Sequence, residues 1–170
     1  MLKYDLQLFH FINNLPGKFL RRFFYTIHYL GYIVPVILAV YLLIITNQLA
    51  LTLYSIIFVF LSWMFTVCLK QIIKRPRPKD VDPNVKHKVK ANFKAFPSGH
   101  ATIMFSICSV LFMLGMTNLL YSFGVFASLV SFSRIYLGAH YPSDILVGII
   151  IGIVGPFILS DLFQYDLTFK

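Results

Sequence analysis

The chain has 170 residues, of which 58% are hydrophobic and only 12% charged, and its mean hydropathy is +0.77. A soluble domain typically carries about 25% charged residues, so this composition excludes an ordinary soluble protein and predicts an integral membrane protein. The net charge of +9 must lie in a few loops, where it favours anionic lipid headgroups or phosphates as ligands; because the cations flank apolar segments, we expect no nucleic-acid partner.

The opening segment, residues 1–16, is too short to cross a membrane and ends at a proline. Its apolar residues alternate with polar ones in a pattern that predicts an amphipathic interfacial helix lying along the bilayer surface. A disordered tail is the alternative. Asp5 and Gln7 interrupt the first apolar stretch and no small-residue cleavage site follows it, so we do not expect a signal peptide.

Five further segments are apolar over roughly the 20 residues that a membrane-spanning helix needs. We expect these spans at about residues 23–45, 49–73, 98–116, 118–137 and 142–163. Two of the connections are very short turns, and the one long connection is the basic loop of residues 74–97. The sequence therefore predicts an all-α integral membrane protein, with five transmembrane helices in one bundle and a single domain over residues 1–170.

Three short motifs lie at the ends of the predicted spans. They read K-x6-R-P from Lys70 to Pro78, P-S-G-H over residues 97–100, and S-R-x5-H-x3-D over residues 133–144. The second span ends at the first motif, the third span begins at the second motif, and the fourth span returns to the third. All three motifs should therefore meet on one side of the membrane, which chance matches need not do.

The first and third motifs supply three cations. Phosphate ester hydrolysis spreads negative charge over the non-bridging oxygens, and cations aimed at those oxygens do most of the catalytic work. Lys70 and Arg77 are about two helical turns apart, but the prolines beside Arg77 predict that the helix breaks near Lys74. Arg134 ends the fourth span, within reach of the same point. For Lys70 alone, a lysine that snorkels to the interface is the simpler interpretation.

The second motif predicts a helix start that suits phosphate. Ser98 should cap the third span, with Gly99 and His100 in its first turn. Unpaired amides and the positive end of the helix dipole favour an anion there, and glycine lets the backbone approach it closely. Without His100, which can titrate near neutral pH, an ordinary capped span would explain the same residues.

The third motif pairs a histidine with a carboxylate four residues later. A proline begins the fifth span, so Asp144 falls in the first helical turn and can hydrogen-bond one ring nitrogen of His140. The other nitrogen is then free to attack phosphorus. In isolation, a solvated loop histidine near a helix-start aspartate would be the better interpretation.

Together and in this order, the three motifs resemble the signature of the type 2 phosphatidic acid phosphatase superfamily of membrane lipid phosphatases. The resemblance covers residues 70–144 closely. It implies that His140 is the nucleophile and forms a phosphohistidine, that Asp144 orients it, and that His100 protonates the leaving alcohol and then activates water. It implies no metal and no other cofactor. It also implies that five residues hold the phosphoryl oxygens, namely Lys70, Arg77, Ser98, Gly99 and Arg134.

The expected function is hydrolysis of a terminal phosphate from a lipid phosphate or diphosphate. The substrate candidates are undecaprenyl diphosphate, which we place first, phosphatidylglycerol phosphate, phosphatidic acid and a lipid A phosphate. Two alternatives remain: a phosphotransferase that uses the same histidine, and a catalytically idle lipid-binding membrane protein. The sequence does not distinguish a monomer from a homodimer.

The membrane orientation follows from two conflicting signals. With five spans, fourteen of the fifteen Lys and Arg residues lie on the site's side, which the positive-inside rule assigns to the cytoplasm. Bacterial members of the phosphatase superfamily that this chain resembles usually act on the outer face of the cytoplasmic membrane. We predict an inner-membrane protein whose site faces the periplasm or exterior, since three of these cations belong to the site.

Three other features are interpreted as structural. Cys68 and Cys108 lie in apolar runs, where no disulfide is expected. Gly148 and Gly152 form a G-x-x-x-G pattern that predicts close helix packing within the protomer, with dimerisation through this face as the alternative. His28, like His10, matches no motif, so we expect it to be a packing or interfacial residue.

Overall fold

A computed structural model of the chain describes residues 3–86, 89 and 94–165. All regular structure within these residues is helical, and four segments of it are long and apolar enough to cross a membrane: α2, α3 with the turn α4 after it, α6 and α7. The helices are α1 (Lys3–Asn13), α2 (Lys18–Thr46), α3 (Leu49–Ile73), α4 (Pro78–Val81), α5 (Gly99–Met113), α6 (Thr117–Tyr136) and α7 (Pro142–Phe163). The protein is thus all-α, with four candidate membrane spans.

Most helix bounds agree with those predicted from the sequence. Helices α3 and α7 have the predicted ends, and α6 is displaced by one residue. Helix α3 ends at Ile73, and the following Lys74 adopts a left-handed conformation with φ 49°, so the helix breaks where the prolines predicted. Helix α2 begins earlier than residue 23 because its first turns hold exposed charged residues that an apolar window leaves out.

The predicted third span is shorter than expected. Helix α5 has only 15 residues, against the predicted 98–116, and falls below the length of about 20 residues that a span needs. The helix ends at a turn in which Gly115 adopts a left-handed conformation with φ 69°. Helix α5 lies among α3, α6 and α7 and buries most of its residues from Ala101 to Leu111. A helix surrounded by other helices need not match the thickness of the bilayer by itself.

Helices α5 and α7 approach closely through two glycines, as the G-x-x-x-G pattern predicted. A Cβ atom on Gly148 would lie 2.6 Å from the carbonyl oxygen of Ser98, and one on Gly152 would lie 2.6 Å from that of Thr102. No side chain fits at those distances. The packing role predicted for these glycines within the protomer is confirmed.

The first helix packs on the bundle rather than trailing from it. Helix α1 buries Asp5, Phe9 and Asn13 while exposing Tyr4 and Phe11. The Asn13 amide donates to the carbonyl oxygen of residue 136 at 2.9 Å, and the Phe9 ring meets Tyr141 edge-on at 5.5 Å between centroids. This face of α1 thus connects the end of α6 to the start of α7.

The predicted basic loop lies partly outside the described residues, which omit 87–88 and 90–93. Its described part contains α4 and returns to the bundle before α5. The amide nitrogen of Ala95 donates to the carbonyl oxygen of Arg75 at 2.8 Å, so the two ends of the loop meet. This contact brings the end of α3 to the start of α5.

Candidate active site

One end of the bundle, here called the site end, is formed by the last turns of α3 and α6 and the first turns of α5 and α7. All three sequence motifs lie there, although they are separated by up to 74 residues along the chain. Two bonds join them: Ser98 N of the second motif donates to the carbonyl oxygen of Asp144 in the third at 2.9 Å, and Nη1 of Arg77 in the first motif donates to the carbonyl oxygen of Ala139 in the third at 2.7 Å. The structure therefore brings the eight predicted site residues together.

His140 occupies the centre of the site end with its two ring nitrogens in different surroundings. Its Nδ1 atom lies 3.6 Å from Oδ2 of Asp144, and its Nε2 atom lies 3.3 Å from Nη1 of Arg77. Only 2% of the histidine is exposed. Among the described residues none forms a hydrogen bond with Nδ1, so the predicted bond to Asp144 is present as a close approach, slightly too long for a hydrogen bond.

The electrostatic surroundings of His140 keep its ring neutral. Burial, followed by the positive charges of Arg77, Arg134 and Lys70, holds the pKa of His140 well below its ordinary value of 6.5. Removal of a charged imidazolium from water costs free energy, and neighbouring cations add to that cost. A neutral imidazole has a lone pair available on one nitrogen, which is the form a nucleophile requires.

Asp144 is fixed by groups at both carboxylate oxygens. Its Oδ2 atom accepts a hydrogen bond from the backbone N–H of Tyr141 at 2.9 Å, which satisfies a free amide at the start of α7. Its Oδ1 atom accepts from Nη1 of Arg75 at 2.6 Å. The carboxylate is fully buried, and its orientation beside His140 is therefore set by these two donors.

Arg77 follows the helix break and turns back into the site. Its Nη1 atom donates to the carbonyl oxygen of Ala139 at 2.7 Å, and the residue is 5% exposed. The contact holds the guanidinium against the loop that carries His140. The predicted break near Lys74 thus explains how a cation seven residues beyond Lys70 reaches the histidine.

Lys70 is buried at the site end with its ammonium directed at the loop before α5. Its Nζ atom donates to the carbonyl oxygens of Lys94 at 3.1 Å and Ala95 at 3.4 Å, and also to that of Pro97. An ammonium has three N–H donors, and these three carbonyls can occupy all of them. In this arrangement Lys70 holds the loop that carries Ser98 in place.

Ser98 and Gly99 form the predicted helix start. The Ser98 hydroxyl accepts from the backbone N–H of Ala101 at 3.5 Å, so Ser98 caps α5. Gly99 packs closely on α3, since a Cβ atom there would lie 3.3 Å from Nε1 of Trp63. The start of α5 therefore lies against α3 at the site end.

His100 lies in the first turn of α5, near two aromatic rings of α2. Tyr32 meets its ring edge-on at 4.7 Å between centroids, and His28 lies 5.7 Å away. Its Nε2 atom is buried and has no hydrogen-bond partner in the described part of the chain. Such a polar atom calls for a ligand or water.

Arg134, which is 2% exposed, pairs with a residue that the motifs did not include. Its Nη1 atom lies 2.5 Å from Nδ1 of His28, and its buried Nε atom has no hydrogen-bond partner among the described residues. The sequence predicts only a packing or interfacial role for His28 and does not include this polar contact with Arg134. A signal existed: Phe24, His28 and Gly31 are spaced as one helical face, and that face is buried.

Two further residues that sequence reasoning missed surround Asp144. Arg75 lies two residues before Arg77, and its guanidinium bridges Asp144 and Asp5 of α1. The fixed spacing of the first motif pointed to Arg77 and left Arg75 unassigned. The sequence signal for Asp5 is that it interrupts an apolar stretch, and the structure shows that it is buried.

Comparison with known proteins gives a family for this arrangement. A sequence model described as the PAP2 superfamily matches residues 48–167, which include every predicted site residue. The crystal structure of LpxE from Aquifex aeolicus superposes with a TM-score of 0.83 at 29% identity, covering 94% of this chain and 96% of that one. Both comparisons extend well beyond the three motifs.

Curated relatives match over shorter shares of their own length. An undecaprenyl-diphosphatase from Sulfolobus acidocaldarius is 34% identical over 85 residues, which cover 49% of this chain and 41% of that protein. A bacitracin transport permease protein, BcrC, from Bacillus licheniformis is 28% identical over 167 residues, which cover 95% of this chain and 79% of that protein. The match thus spans less than half of the Sulfolobus protein. With the family match and the shared fold, the chain belongs to the PAP2 superfamily.

Proposed function

We propose that the protein is a membrane lipid phosphatase that hydrolyses the terminal phosphate of a lipid phosphate or diphosphate through a phosphohistidine on His140. The observation that carries this proposal is the pair of environments around the His140 ring. One nitrogen lies beside the carboxylate of Asp144, and the other lies beside the guanidinium of Arg77. A carboxylate behind the ring and a cation in front of it suit attack on an anionic phosphoryl group.

In the first step, the lone pair on Nε2 of His140 attacks phosphorus while the bond from phosphorus to the leaving oxygen breaks. His100 in its protonated form donates a proton to that oxygen, which departs as the lipid alcohol or lipid monophosphate. The imidazole keeps its proton on Nδ1, facing Asp144, which stabilises the positive charge that the ring acquires. The 3.6 Å approach between these two groups supports this role.

In the second step, neutral His100 accepts a proton from water, and the water oxygen attacks the phosphohistidine. The bond between phosphorus and Nε2 breaks, inorganic phosphate leaves, and both histidines return to their starting forms. The buried Nε2 atom of His100, which has no partner among the described residues, supports a position next to substrate. General acid and base catalysis of this kind contributes about 10²- to 10⁴-fold to the rate.

The phosphoryl oxygens would be held by Arg77, Arg134, the Ser98 hydroxyl and the backbone amide of Gly99. The Nε atom of Arg134 is buried without a partner in the described residues, which leaves a donor for such an oxygen. Lys70 contributes its charge and holds the loop, and it binds phosphate directly only if it releases a carbonyl oxygen. These cations supply the charge that a metal ion provides in other phosphatases, so the proposed reaction uses no metal.

A lipid substrate is supported by an apolar cavity of about 340 Å³ between α2, α3 and α5. Pro35 and Trp63 line it, and Trp63 also contacts Gly99 at the start of α5. The cavity therefore begins near the proposed phosphate position and extends along the bundle to Leu42 and Thr52. An alkyl or prenyl chain fits these apolar walls, whereas a soluble phosphate ester has nothing to place there.

Among lipid phosphates, we propose undecaprenyl diphosphate first, because a relative from Sulfolobus acidocaldarius carries the name undecaprenyl-diphosphatase. Phosphatidylglycerol phosphate, phosphatidic acid and a lipid A phosphate are the other candidates. All four present a terminal phosphate on an apolar tail at the membrane surface. The proposed site therefore accepts the same chemical group in each of them.

We further propose that α5 crosses the membrane as a fifth, shorter span within the bundle, and that α1 lies in the interface. Exposed Tyr4, Leu8 and Phe11 on α1 support contact with lipid there. The protein would lie in the bacterial cytoplasmic membrane with its site end facing the exterior. Cysteine labelling from outside intact cells, at Lys79→Cys on α4, tests this orientation.

Phosphate release from a lipid panel tests the activity. Wild-type protein in detergent is compared with His140→Ala and with His10→Ala, whose ring is partly exposed on α1 and pairs with Asp82 at 3.4 Å. We expect release by wild type and His10→Ala and none above background by His140→Ala. The panel holds the four candidate lipids, so it also ranks the substrates.

Equal background release from all three proteins would contradict the proposed hydrolysis. Adding a lipid alcohol as acceptor then separates the two alternatives. A phosphorylated product would identify a phosphotransferase, and its absence would favour a lipid-binding protein.

A further inference from the structure

We propose that Arg75 and Asp5 are positioning residues for the reaction, in which Arg75 orients Asp144 and Asp5 holds Arg75. This inference rests on the proposed function, since Asp144 is taken as the partner of the nucleophile. It extends the active site to α1, a helix that contains none of the three motifs and precedes the region matched by the family.

Arg75 holds the first turn of α7 through two donors on one nitrogen. Its Nη1 atom donates to Oδ1 of Asp144 at 2.6 Å and to the hydroxyl of Ser143 at 2.8 Å. The guanidinium carbon also lies 4.2 Å above the ring centroid of Tyr141. Three of the four residues from Tyr141 to Asp144 at the start of α7 thus contact one planar cation, which restricts how that turn can rotate.

Asp5 completes this arrangement from α1. Its Oδ2 atom accepts from Nη2 of Arg75 at 2.7 Å and from the Ser143 hydroxyl at 2.6 Å, and its Oδ1 atom accepts from the Ser143 backbone N–H at 2.9 Å. Burial alone would raise the pKa of Asp5, but the hydrogen bonds from Ser143 and Arg75 and the charge of Arg75 lower it. Asp5 is therefore an ionised partner at neutral pH.

The geometry supports a positioning role for Arg75 and not a contact between Arg75 and the substrate. Arg75 binds Oδ1 of Asp144, whereas His140 lies beside Oδ2. Arg75 thus acts on the oxygen that is turned away from the nucleophile. With the Tyr141 N–H on Oδ2, it determines the plane of the carboxylate and the distance to His140 Nδ1. A carboxylate held by one donor alone could rotate about its terminal bond.

Steady-state kinetics with the lipid that wild type hydrolyses test this inference. Arg75→Gln keeps much of the side-chain length and loses the charge, and Asp5→Asn keeps the shape and loses the charge. We expect kcat to fall about 10- to 100-fold in Arg75→Gln, as when the outer partner of an active-site ligand is removed, with KM changed less than about threefold. Arg75→Lys should recover less than half of the kcat that Arg75→Gln loses, because the ammonium of lysine cannot reproduce the planar set of N–H donors of a guanidinium.

The double variant tests whether Asp5 acts through Arg75. Asp5→Asn should lower kcat by about three- to tenfold in the wild-type background and by less than half as much in the Arg75→Gln background, since contacting residues are not additive. Matched controls are Asp161→Asn, an exposed aspartate near the far end of α7, and Arg22→Gln, an exposed arginine near the start of α2. Both controls should keep the wild-type kcat.

The outcomes separate failure of this inference from failure of the proposed function. An active wild type with unchanged kcat in both variants would overturn the inference alone. A lowered unfolding temperature with normal kcat in the folded protein would also overturn it, because the residues would then be only structural. A parallel rise in KM would assign Arg75 to substrate binding and overturn the positioning role. An inactive wild type would overturn both proposals.

Discussion

The two parts of this bundle satisfy their buried polar groups in different ways. Within the apolar body, most hydroxyl groups bond to their own helix one turn earlier, as Ser55 does to the carbonyl oxygen of Leu51 and Ser62 to that of Phe58, both at 2.8 Å, although Ser109 of α5 also donates to α7. At the site end, buried charged groups reach partners that are distant in sequence, such as Arg75 to Asp5. A hydrogen bond within one helix does not fix the position of that helix relative to the others, whereas bonds between distant residues hold several helices together.

This difference indicates which part of the protein provides its stability and which part fixes the geometry of the site. The body depends on close packing, and α5 and α7 meet there at glycines. The site end depends on charged hydrogen bonds, which are costly to break and hold side chains in one orientation. We therefore expect substitutions in the body to change stability and substitutions at the site end to change activity. Four predictions test this comparison.

The largest expected effect is on activity, from His100→Ala at the site end. Loss of a general acid should lower release from a lipid phosphate by about 10²- to 10⁴-fold. The first-turnover release of aryl alcohol from an aryl phosphate, whose leaving group needs no proton, should fall much less, because His100 acts as a base only in the later hydrolysis of the phosphohistidine. The unfolding temperature should stay close to that of wild type. Equal losses on the two substrates would contradict the role of His100 as an acid.

The next effect is on stability, from Gly152→Ala in the body. The added Cβ atom would lie 2.6 Å from the carbonyl oxygen of Thr102, so α5 and α7 must separate. Overpacking of this kind costs about 1–3 kcal/mol. Gly124→Ala on α6 is the matched control, because a Cβ atom there meets no described atom within 4 Å. Thermal unfolding in detergent should show a loss for the first variant only, and equal behaviour would contradict the packing account.

A third effect concerns the protonation of His140. Because burial and the cations lower its pKa, the ring should remain neutral at pH 6.5, the ordinary histidine value. The unfolded chain takes up this proton near pH 6.5 and the folded chain does not, so stability should decrease as the pH falls below that value. Nitrogen NMR of histidine-labelled protein, assigned with His140→Gln, measures the titration. A midpoint at or above 6.5 would contradict the proposed electrostatics.

The smallest effect is expected from Thr46→Val, at the end of α2 far from the site. Its hydroxyl donates to the carbonyl oxygen of Leu42 at 2.8 Å within the same helix. Loss of such a bond costs about 0.5–1.5 kcal/mol, and activity should be unchanged. Chemical unfolding and phosphate release measure the two effects. A clear loss of activity would show that the body and the site end are not separable in this way.

Sequence patterns predicted most of the fold because the relevant signals are local. The ends of α3 and α7 follow from adjacent turn residues and prolines, and those predictions are confirmed. The predicted third span ran past the turn at Gly115 that ends α5. An apolar run of residues 98–116 does not reveal whether its helix faces lipid or other helices, and only the packed structure gives that difference.

The site was predictable to the extent that its residues belong to motifs. Ser98 caps α5 as expected, and His140 lies beside Asp144 as the spacing suggested. Contacts between distant segments were not predictable, because no local pattern encodes them. His28 is 106 residues from Arg134, and Asp5 is 70 residues from Arg75. The catalytic roles of all these residues stay predictions.

The most direct test of the account is detection of the phosphoryl-enzyme. Wild-type protein and His140→Gln are quenched during turnover of a lipid phosphate labelled at its terminal phosphorus. Phosphohistidine is stable in alkali and labile in acid, so alkaline digestion and mass analysis can locate the label. We expect label on His140 in the wild type, with neither label nor turnover in the variant. Label on another residue, or normal turnover by His140→Gln, would contradict it.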